Sequence, residues 1–217
     1  MSKNRIHVRI RDLRKVYQTR REEIEAIRSV EMEVHRSEFV SILGPSGCGK
    51  STLLMAVGGL LPITSGTIEV DETPVTHPRR DTGVVFQTPV LMPWRTITKN
   101  VLFPIECLGL SVRDHAARAE ELLEMTGLAE FGDNLPTELS GGEQQRVSIA
   151  RALVTQPEVV FADEPTGELD TATARSITET LGEVAASRRA TVIVATHDLD
   201  LAATAQRRLD LVDGQSV

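Results

Sequence analysis

Residues 44–52 decide the fold of this chain, and they read Gly44-Pro45-Ser46-Gly47-Cys48-Gly49-Lys50-Ser51-Thr52. The stretch fits G-x-x-x-x-G-K-[ST], the pattern of a phosphate-binding P-loop. An apolar run at residues 38–43 predicts a buried strand before the loop, and residues 51–57 predict a helix after it. A strand, a glycine loop and a helix in this order are the structural context that the motif requires.

The residue types in this loop suit a nucleoside triphosphate. Glycines allow successive backbone N–H groups to surround phosphate oxygens, and the helix N-terminus adds partial positive charge. Lys50 can reach the β- and γ-phosphates, and the hydroxyl of Ser51 can ligate Mg²⁺. The alternative is a glycine-rich turn that binds nothing. The lysine, the hydroxyl and the flanking elements together disfavour that alternative.

The composition limits the classes of protein to which this chain can belong. It has 217 residues, a formal net charge of −7 and 3% aromatic residues. These values lack the basic surface and the stacking aromatics of a nucleic-acid binder, so we expect no nucleic-acid partner. Two cysteines, Cys48 and Cys107, predict no disulfide framework or metal cluster. No signal peptide or membrane-spanning run is visible, which predicts a soluble cytoplasmic chain whose membrane part, if any, is another polypeptide.

Two kinds of strand pattern divide the chain. Near the start, apolar residues alternate with polar ones, which predicts half-buried antiparallel strands through Ile6, Val8, Ile10, Val30, Met32 and Val34. Continuous apolar runs, which predict buried strands, occupy residues 38–43, 83–86, 159–162 and 191–195. Helical patterns alternate with these runs, which is typical of a parallel sheet in an α/β core. Residues 88–153 contain no such run and predict a helical insertion, in which Asp114 is a candidate helix cap.

Two acids follow the apolar strand at residues 159–162. An aspartate in this position often holds Mg²⁺ beside a P-loop, so Asp163 is the candidate. Glu164 comes one residue later, where a carboxylate can orient or deprotonate the attacking water. The alternative is a pair of solvated acids at a strand-to-loop turn, which the preceding P-loop disfavours. His197 similarly follows the apolar strand at residues 191–195.

These motifs, in their order and over nearly the whole chain, resemble those of the ATP-binding subunit of an ABC transporter. Residues 139–146, LSGGEQQR, are similar to the signature motif of that family. Residues 44–51 are similar to its Walker A motif, and residues 159–163 with Glu164 to its Walker B motif. Further matches are Gln87 to the Q-loop, Gly167-Glu168-Leu169-Asp170 to the D-loop, His197 to the switch histidine and Tyr17 to the aromatic residue that stacks on adenine.

The resemblance implies one ABC ATPase domain over residues 1–217, an α/β fold with a P-loop NTPase core. Its mainly parallel sheet and N-terminal antiparallel β subdomain would use residues 1–87 and 154–217, and the inserted helical subdomain residues 88–153. It also implies a homodimer or a pseudo-symmetric dimer. ATP would lie between the P-loop of one subunit and the signature motif of the other, and ATP binding would close the dimer.

The implied site residues follow from the motif matches. For ATP they are Tyr17, Gly44, Ser46, Gly47, Cys48, Gly49, Lys50, Ser51, Thr52, Ser140, Gly141, Gly142, Gln144 and Asp170. For Mg²⁺ they are Ser51, Gln87 and Asp163, and for catalysis Glu164, His197, Lys50 and Gln87. Taken singly, Tyr17 suits an ordinary hairpin and Gln87 an ordinary strand end, and only their positions among the motifs favour these roles.

The resemblance also implies integral membrane permease subunits as partners, at the cytoplasmic face of the cell membrane. The cluster Leu91, Met92 and Trp94 after the Q-loop suits a docking patch, although the same residues suit a small core. Residues 139–146 and 162–170 resemble the lipoprotein-release and macrolide-export group, whereas residues 91–96 resemble nitrate, sulfonate and taurine importers. We favour the first group.

Two other classes remain as alternatives. A soluble ABC-type ATPase acting on DNA or ribosomes would share these motifs, but the single cassette, the missing cysteine cluster and the acidic charge disfavour it. A P-loop kinase for a small molecule would share the P-loop, but the signature motif and Glu164 disfavour it.

Overall fold

The fold is built on a ten-stranded sheet in the computed structural model, which describes residues 5–20, 22–167, 169–187 and 190–217. In chain order the strands are β1 (Ile6–Gln18), β2 (Glu23–His35), β3 (Phe39–Leu43), β4 (Ser65–Val70), β5 (Thr73–Pro74), β6 (Thr82–Val85), β7 (Val159–Asp163), β8 (Thr191–Thr196), β9 (Arg207–Val212) and β10 (Gln215–Ser216). Across the sheet their order is β5-β4-β1-β2-β10-β9-β3-β8-β7-β6.

The helices in the described part of the chain are α1 (Lys50–Val57), α2 (Ile97–Val101), α3 (Phe103–Cys107), α4 (Val112–Met125), α5 (Gly141–Leu153), α6 (Thr171–Ala186) and α7 (Leu199–Thr204). Two 3₁₀ turns, Ala129–Phe131 and Pro136–Glu138, lie between α4 and α5. No helix among these residues combines the length and the apolar character that crossing a membrane requires.

The parallel half of the sheet consists of β9, β3, β8, β7 and β6, each hydrogen-bonded in parallel to its neighbour. Strand β8 is buried along its whole length because helices cover both of its faces. Its side chains alternate between two cores: Val192 and Val194 pack with α5 and α6, and Ile193 and Ala195 pack with α1. The continuous apolar runs of the sequence therefore correspond to strands that are buried on both faces.

The antiparallel half consists of β1, which pairs with β2 and with β4, and of β5, which pairs with β4. The short strand β10 joins the halves, since it pairs in parallel with β2 and antiparallel with β9. The predicted α/β class, with a mainly parallel core and an N-terminal antiparallel part, is confirmed. Strand β10 was not predicted, because two residues after the turn at Asp213 and Gly214 carry no periodic signal.

Helices and turns occupy the predicted helical insertion, and no strand lies among the described residues from 88 to 153. Their apolar side chains, such as Ile105 and Leu122, belong to the same core as Val160 and Val192 of the sheet. The division into a core and a helical subdomain therefore stays a prediction.

The cap of α4 differs from the prediction. Ser111, not Asp114, is the N-cap, and its hydroxyl accepts a hydrogen bond from the backbone N–H of Asp114 at 3.4 Å. Asp114 lies instead in the first turn, where its charge is favourable beside the positive end of the helix dipole. Both residue types are strong caps, so the sequence alone did not separate them.

Candidate active site

The P-loop turns from the end of β3 into α1. Gly49 precedes α1 with a φ of 107°, a conformation that favours glycine, and a Cβ atom there would clash with the backbone carbonyl of Ala26 in β2. No side chain caps α1, so its first backbone N–H groups remain available to an anion. The ammonium group of Lys50 donates hydrogen bonds to the carbonyls of Gly44 at 2.8 Å and Pro45 at 3.1 Å. The loop thus has the geometry of a phosphate site.

The predicted metal ligands Ser51 and Asp163 are brought together. The Ser51 hydroxyl donates to Oδ1 of Asp163 at 2.9 Å. Burial raises the pKa of Asp163, the hydrogen bond from Ser51 opposes this shift, and the neighbouring Glu164 charge adds to it. A carboxylate with a raised pKa beside a hydroxyl is stabilised by a nearby cation, and hard oxygen ligands are those that Mg²⁺ prefers. The pair therefore fits Mg²⁺.

Glu164 lies between two groups that fix its carboxylate. Its Oε1 is 3.3 Å from Nζ of Lys50. Its Oε2 accepts a hydrogen bond from the backbone N–H of His197 at 3.2 Å and lies 2.9 Å from Nδ1 of the same residue. An ionised carboxylate only accepts hydrogen bonds, so this ring nitrogen is the donor. The arrangement holds one carboxylate at the end of β7, as a base that acts on a water requires.

The backbone of Glu164 has a φ of 44°, in the left-handed region that non-glycine residues seldom adopt. Such a conformation costs about 1 to 3 kcal/mol and occurs preferentially at functional sites. Its backbone N–H donates to the carbonyl of Ala195 in β8, which holds the turn in place. This strain gives a second reason, besides the motif, to assign a function to Glu164.

Two further predicted site residues lie after β6 and at the start of α6. Gln87 follows β6 and is exposed, and its Nε2 would lie 3.6 Å from a Cβ atom placed on Gly167. Asp170 is the N-cap of α6, and its pKa is lowered by hydrogen bonds from the hydroxyl of Thr173 and from the backbone N–H groups of Thr173 and Ala172. Glu168, within the predicted D-loop, lies outside the described residues.

Tyr17 lies next to the P-loop helix, with its hydroxyl 3.4 Å from the hydroxyl of Thr52. Lys15 places its ammonium group 4.9 Å from the centre of the Tyr17 ring. The same group donates a hydrogen bond to the carbonyl of Pro62 at 2.7 Å. The contact of Lys15 with Tyr17 was not predicted from the sequence, although a lysine two residues before an aromatic residue on a strand lies on the same face of the sheet.

The signature residues form the N-terminus of α5. The hydroxyl of Ser140 accepts a hydrogen bond from the backbone N–H of Glu143, and the Glu143 carboxylate accepts from the backbone N–H of Ser140. Both Ser140 and Gly141 are exposed. Among the described residues, no hydrogen bond or ion pair joins residues 139–146 to residues 44–52. The chain therefore presents two separate helix N-termini, of which that of α1 has no side-chain cap and that of α5 is capped by Ser140 and Glu143.

Gln144 has a different environment from the one that the predicted ATP contact implies. Its side-chain nitrogen donates hydrogen bonds to the carbonyls of Pro136 at 3.0 Å and Leu139 at 3.1 Å. These bonds use both amide protons to brace the turn before α5. Its contact with ATP stays a prediction without support from this arrangement. Cys48 is buried beneath the loop, whereas Ser46 and Gly47 are exposed on it.

The predicted docking patch is only partly exposed. Trp94 is 75% exposed, but Leu91 packs against the core of the helices. The backbone of Met92 is held by the buried Asn100 through hydrogen bonds to its N–H and carbonyl groups. Val90, which the sequence analysis missed, is 65% exposed. The exposed apolar surface after the Q-loop is therefore formed by Val90 and Trp94, with Leu91 as its base.

The fold and this site define a P-loop ATPase. A family model described as ABC transporter matches residues 27–167 of the chain, and the chain belongs to that family. It is 40% identical to the lipoprotein-releasing system ATP-binding protein LolD 1 of Rhodopirellula baltica, over 96% of this chain and 95% of that protein. It is 39% identical to the nitrate import ATP-binding protein NrtD of Synechocystis, over 94% of this chain and 77% of that protein.

A solved structure extends this result to the fold. The dimeric post-hydrolysis state of the ATP-binding cassette MJ0796, bound to ADP and Pi, matches with a TM-score of 0.87 and 36% identity, over 96% of each chain. The chain is thus an ABC ATPase, the ATP-binding subunit of a transporter.

Proposed function

We propose that this chain hydrolyses ATP with Glu164 as the group that orients or deprotonates the attacking water. The observation that carries the proposal is the position of its carboxylate, held between Lys50 and His197 beside the Ser51–Asp163 pair. A general base must be held close to the water on which it acts, and preorganisation of this kind lowers the barrier to hydrolysis.

The other residues of the site have separate roles in this proposal. Lys50 exchanges its present carbonyl acceptors for the β- and γ-phosphate oxygens of ATP. Ser51, Asp163 and Gln87 would hold Mg²⁺, which neutralises charge on those oxygens. His197 fixes the orientation of Glu164 through the contact between its Nδ1 and the carboxylate. Tyr17 stacks on the adenine ring, as a half-buried aromatic ring beside the P-loop helix allows.

We further propose that two copies of the chain, or this chain and a similar one, close over ATP. Ser140, Gly141 and Gly142 at the N-terminus of α5 would bind the γ-phosphate held by the P-loop of the other subunit. Two features support this arrangement. The signature residues have no bond to the P-loop of their own chain among the described residues, and the similar MJ0796 cassette is a dimer.

The partners in this proposal are integral membrane permease subunits. Val90 and Trp94 would dock on them, which would place the chain at the cytoplasmic face of the cell membrane. Large apolar side chains on a surface favour a protein partner. We favour the lipoprotein-release and export group on the motifs, and the nearly equal identities to the lipoprotein-release and nitrate-import relatives leave the importer class as the alternative.

Light scattering on Glu164→Gln, with and without ATP and Mg²⁺, tests the closure. A shift from monomer to dimer that requires ATP is the expected result, since bound ATP would persist at the interface. The double variant Lys50→Ala, Glu164→Gln is the matched control and should remain monomeric. A monomer that demonstrably binds ATP would contradict closure by this chain alone.

The docking proposal has its own test, which uses detergent-solubilised membranes of the source organism. The wild-type chain should retain a multi-span membrane protein, and Trp94→Ala should lose it. Val212→Ala should keep it, because this exposed valine is on β9, which three strands separate from β6. Retention of nucleic acid instead would favour the soluble ABC-type ATPase. Transfer of phosphate to a metabolite would favour the kinase.

A further inference from the structure

We propose that His7, Asp71 and Glu158 form a binding site for a divalent transition-metal ion. The three residues are far apart in the sequence, and none of them belongs to the nucleotide site. Their ligand atoms, one nitrogen and two oxygens, all lie within 4.8 Å of one another. No other cluster of this kind occurs in the part of the chain that the structure describes.

The distances within the cluster suit a bound ion. Nε2 of His7 lies 3.4 Å from Oε2 of Glu158 and 3.8 Å from Oδ2 of Asp71. Around a tetrahedral Zn²⁺ with ligand bonds of about 2.0 to 2.2 Å, neighbouring ligand atoms are about 3.4 Å apart. The ligand atoms therefore need to move by only a few tenths of an ångström to meet this geometry at the histidine.

The backbone holds each ligand in place. His7 is in β1, and its carbonyl accepts the backbone N–H of Asp71 at 2.8 Å, so these two residues are adjacent by construction. Asp71 and Glu72 form the two-residue turn between β4 and β5, and both have positive φ values. Glu158 precedes β7, where its N–H donates to the carbonyl of Asp81 and its carbonyl accepts the N–H of Thr191. Such preorganisation is what a specific metal site requires.

The histidine is the observation that separates this cluster from an ordinary group of acids. Its side chain is 1% exposed, and its Nε2, which points at the two carboxylates, has no hydrogen-bond partner among the described residues. Its Nδ1 lies 2.7 Å from the hydroxyl of Thr191. A metal-bound histidine has this arrangement, with one ring nitrogen on the ion and the other fixed by a second group.

The charges of the cluster also suit a divalent ion. The guanidinium of Arg36 bridges the carboxylates of Asp71 and Glu158, and that of Arg5 lies 3.9 Å from Asp71, but neither donates a hydrogen bond to Nε2 of His7. A divalent ion would balance both carboxylates and displace Arg36, whose side chain is 36% exposed and can turn into solvent.

The place of the cluster in the fold indicates what the ion would do. Glu158 lies at the start of β7 and Asp163 at its end, about 16 Å away for a five-residue strand. The ion would join β1 and the β4–β5 turn, in the antiparallel half, to the start of β7 in the parallel half. Its effect would be to stabilise the junction of the two halves without contact with the nucleotide.

The experiment is a titration of untagged, chelator-stripped, nucleotide-free protein with Zn²⁺ against a chromophoric chelator. The expected result is one ion per chain, and a tenfold or greater weakening in His7→Gln and in Glu158→Gln, since even outer contacts of a metal site change its affinity by about 10- to 100-fold. The control His77→Gln, which changes an exposed histidine outside the cluster, should keep the wild-type affinity.

If His7→Gln does not fold, a second variant, Arg36→Ala, tests the metal site. Arg36→Ala removes the competing guanidinium, so it should bind Zn²⁺ more tightly than the wild type. It should also bind Co²⁺ with the visible absorption of a nitrogen and oxygen ligand field. The proposal fails if the wild type and Arg36→Ala bind no stoichiometric ion, or if His7→Gln binds Zn²⁺ as tightly as His77→Gln does.

Discussion

The two ends of β7 lie at opposite edges of the ten-stranded sheet, and each edge carries a cation, an aspartate, a glutamate and a histidine in a different arrangement. At the nucleotide edge, where β3, β7 and β8 end, these are Lys50, Asp163, Glu164 and His197. At the opposite edge, where β7 and β8 begin, they are Arg36, Asp71, Glu158 and His7. The side chain of His197 is 57% exposed, whereas that of His7 is 1% exposed.

The same residue types differ in arrangement at the two edges because the backbone supports them differently. At the nucleotide edge, the cation lies on a glycine loop and holds backbone carbonyls that a phosphate can replace. At the opposite edge, turns and backbone hydrogen bonds fix the acids around a buried imidazole. The first arrangement can exchange a large ligand. The second keeps its ligand atoms at fixed positions, which suits the metal ion proposed above.

A variant at the nucleotide edge should cause the greatest loss of activity. Glu164→Gln keeps the shape of the side chain but removes the base, so ATP turnover should fall by about 10²- to 10⁴-fold. Phosphate release under saturating ATP measures it. Glu183→Gln, on the exposed face of α6, is the matched control and should retain the wild-type rate. Turnover at the normal rate in Glu164→Gln would show that this carboxylate is not the base.

The next effect separates the roles of the two cations. Lys50→Ala should weaken ATP binding by about 10- to 100-fold, because a charge-assisted hydrogen bond to phosphate contributes about 1.5 to 3 kcal/mol. Fluorescent nucleotide displacement measures the affinity. Arg36→Ala, at the opposite edge, should leave it unchanged. Equal losses of ATP affinity in both variants would mean that the two edges are coupled and do not act separately.

A smaller effect is expected in stability at the opposite edge. In the presence of a chelator, Arg36→Ala should lower the free energy of unfolding by about 1 kcal/mol, because the half-buried Asp71 and the exposed Glu158 lose a shared cation, although the exposure of Arg36 and Glu158 limits the loss. Urea denaturation measures this change. The matched variant Arg28→Ala removes an exposed ion pair with Glu25 and should change stability by less. An unaltered midpoint in Arg36→Ala would indicate that the bridge contributes nothing.

The sequence was sufficient to predict which side chains lie at the nucleotide edge, because they belong to motifs with a recognisable spacing. Lys50 and Ser51 are consecutive, and Asp163 and Glu164 end a recognisable apolar strand. Parallel strands bring such ends to one edge, so the proximity of these residues to one another followed from the strand pattern.

The opposite edge could not be predicted in this way. His7, Asp71 and Glu158 are brought together by the pairing of β1 with β4 and by the starts of parallel strands, and their spacing in the chain carries no signal. A lone histidine in an alternating strand, such as His7, is uninformative in a sequence. The partial burial of Leu91 could not be predicted either, because an apolar cluster after a loop suits both a core and an exposed patch.

The smallest expected effect concerns Lys15, a cation of the nucleotide edge that no motif contains. Lys15→Met keeps the length of the side chain but removes the charge beside the Tyr17 ring, an interaction that contributes about 0.5 to 1 kcal/mol. The ring would then be held less firmly, and ATP affinity should fall by about two- to fivefold. Inorganic triphosphate has no base, so its affinity should be unchanged in Lys15→Met but reduced in Lys50→Ala. Lys99→Met, which changes an exposed lysine of α2, controls for the loss of a positive charge. If Lys15→Met weakened both ligands equally, Lys15 would act on the phosphates through its charge, and its contact with Tyr17 would have no part in binding the base.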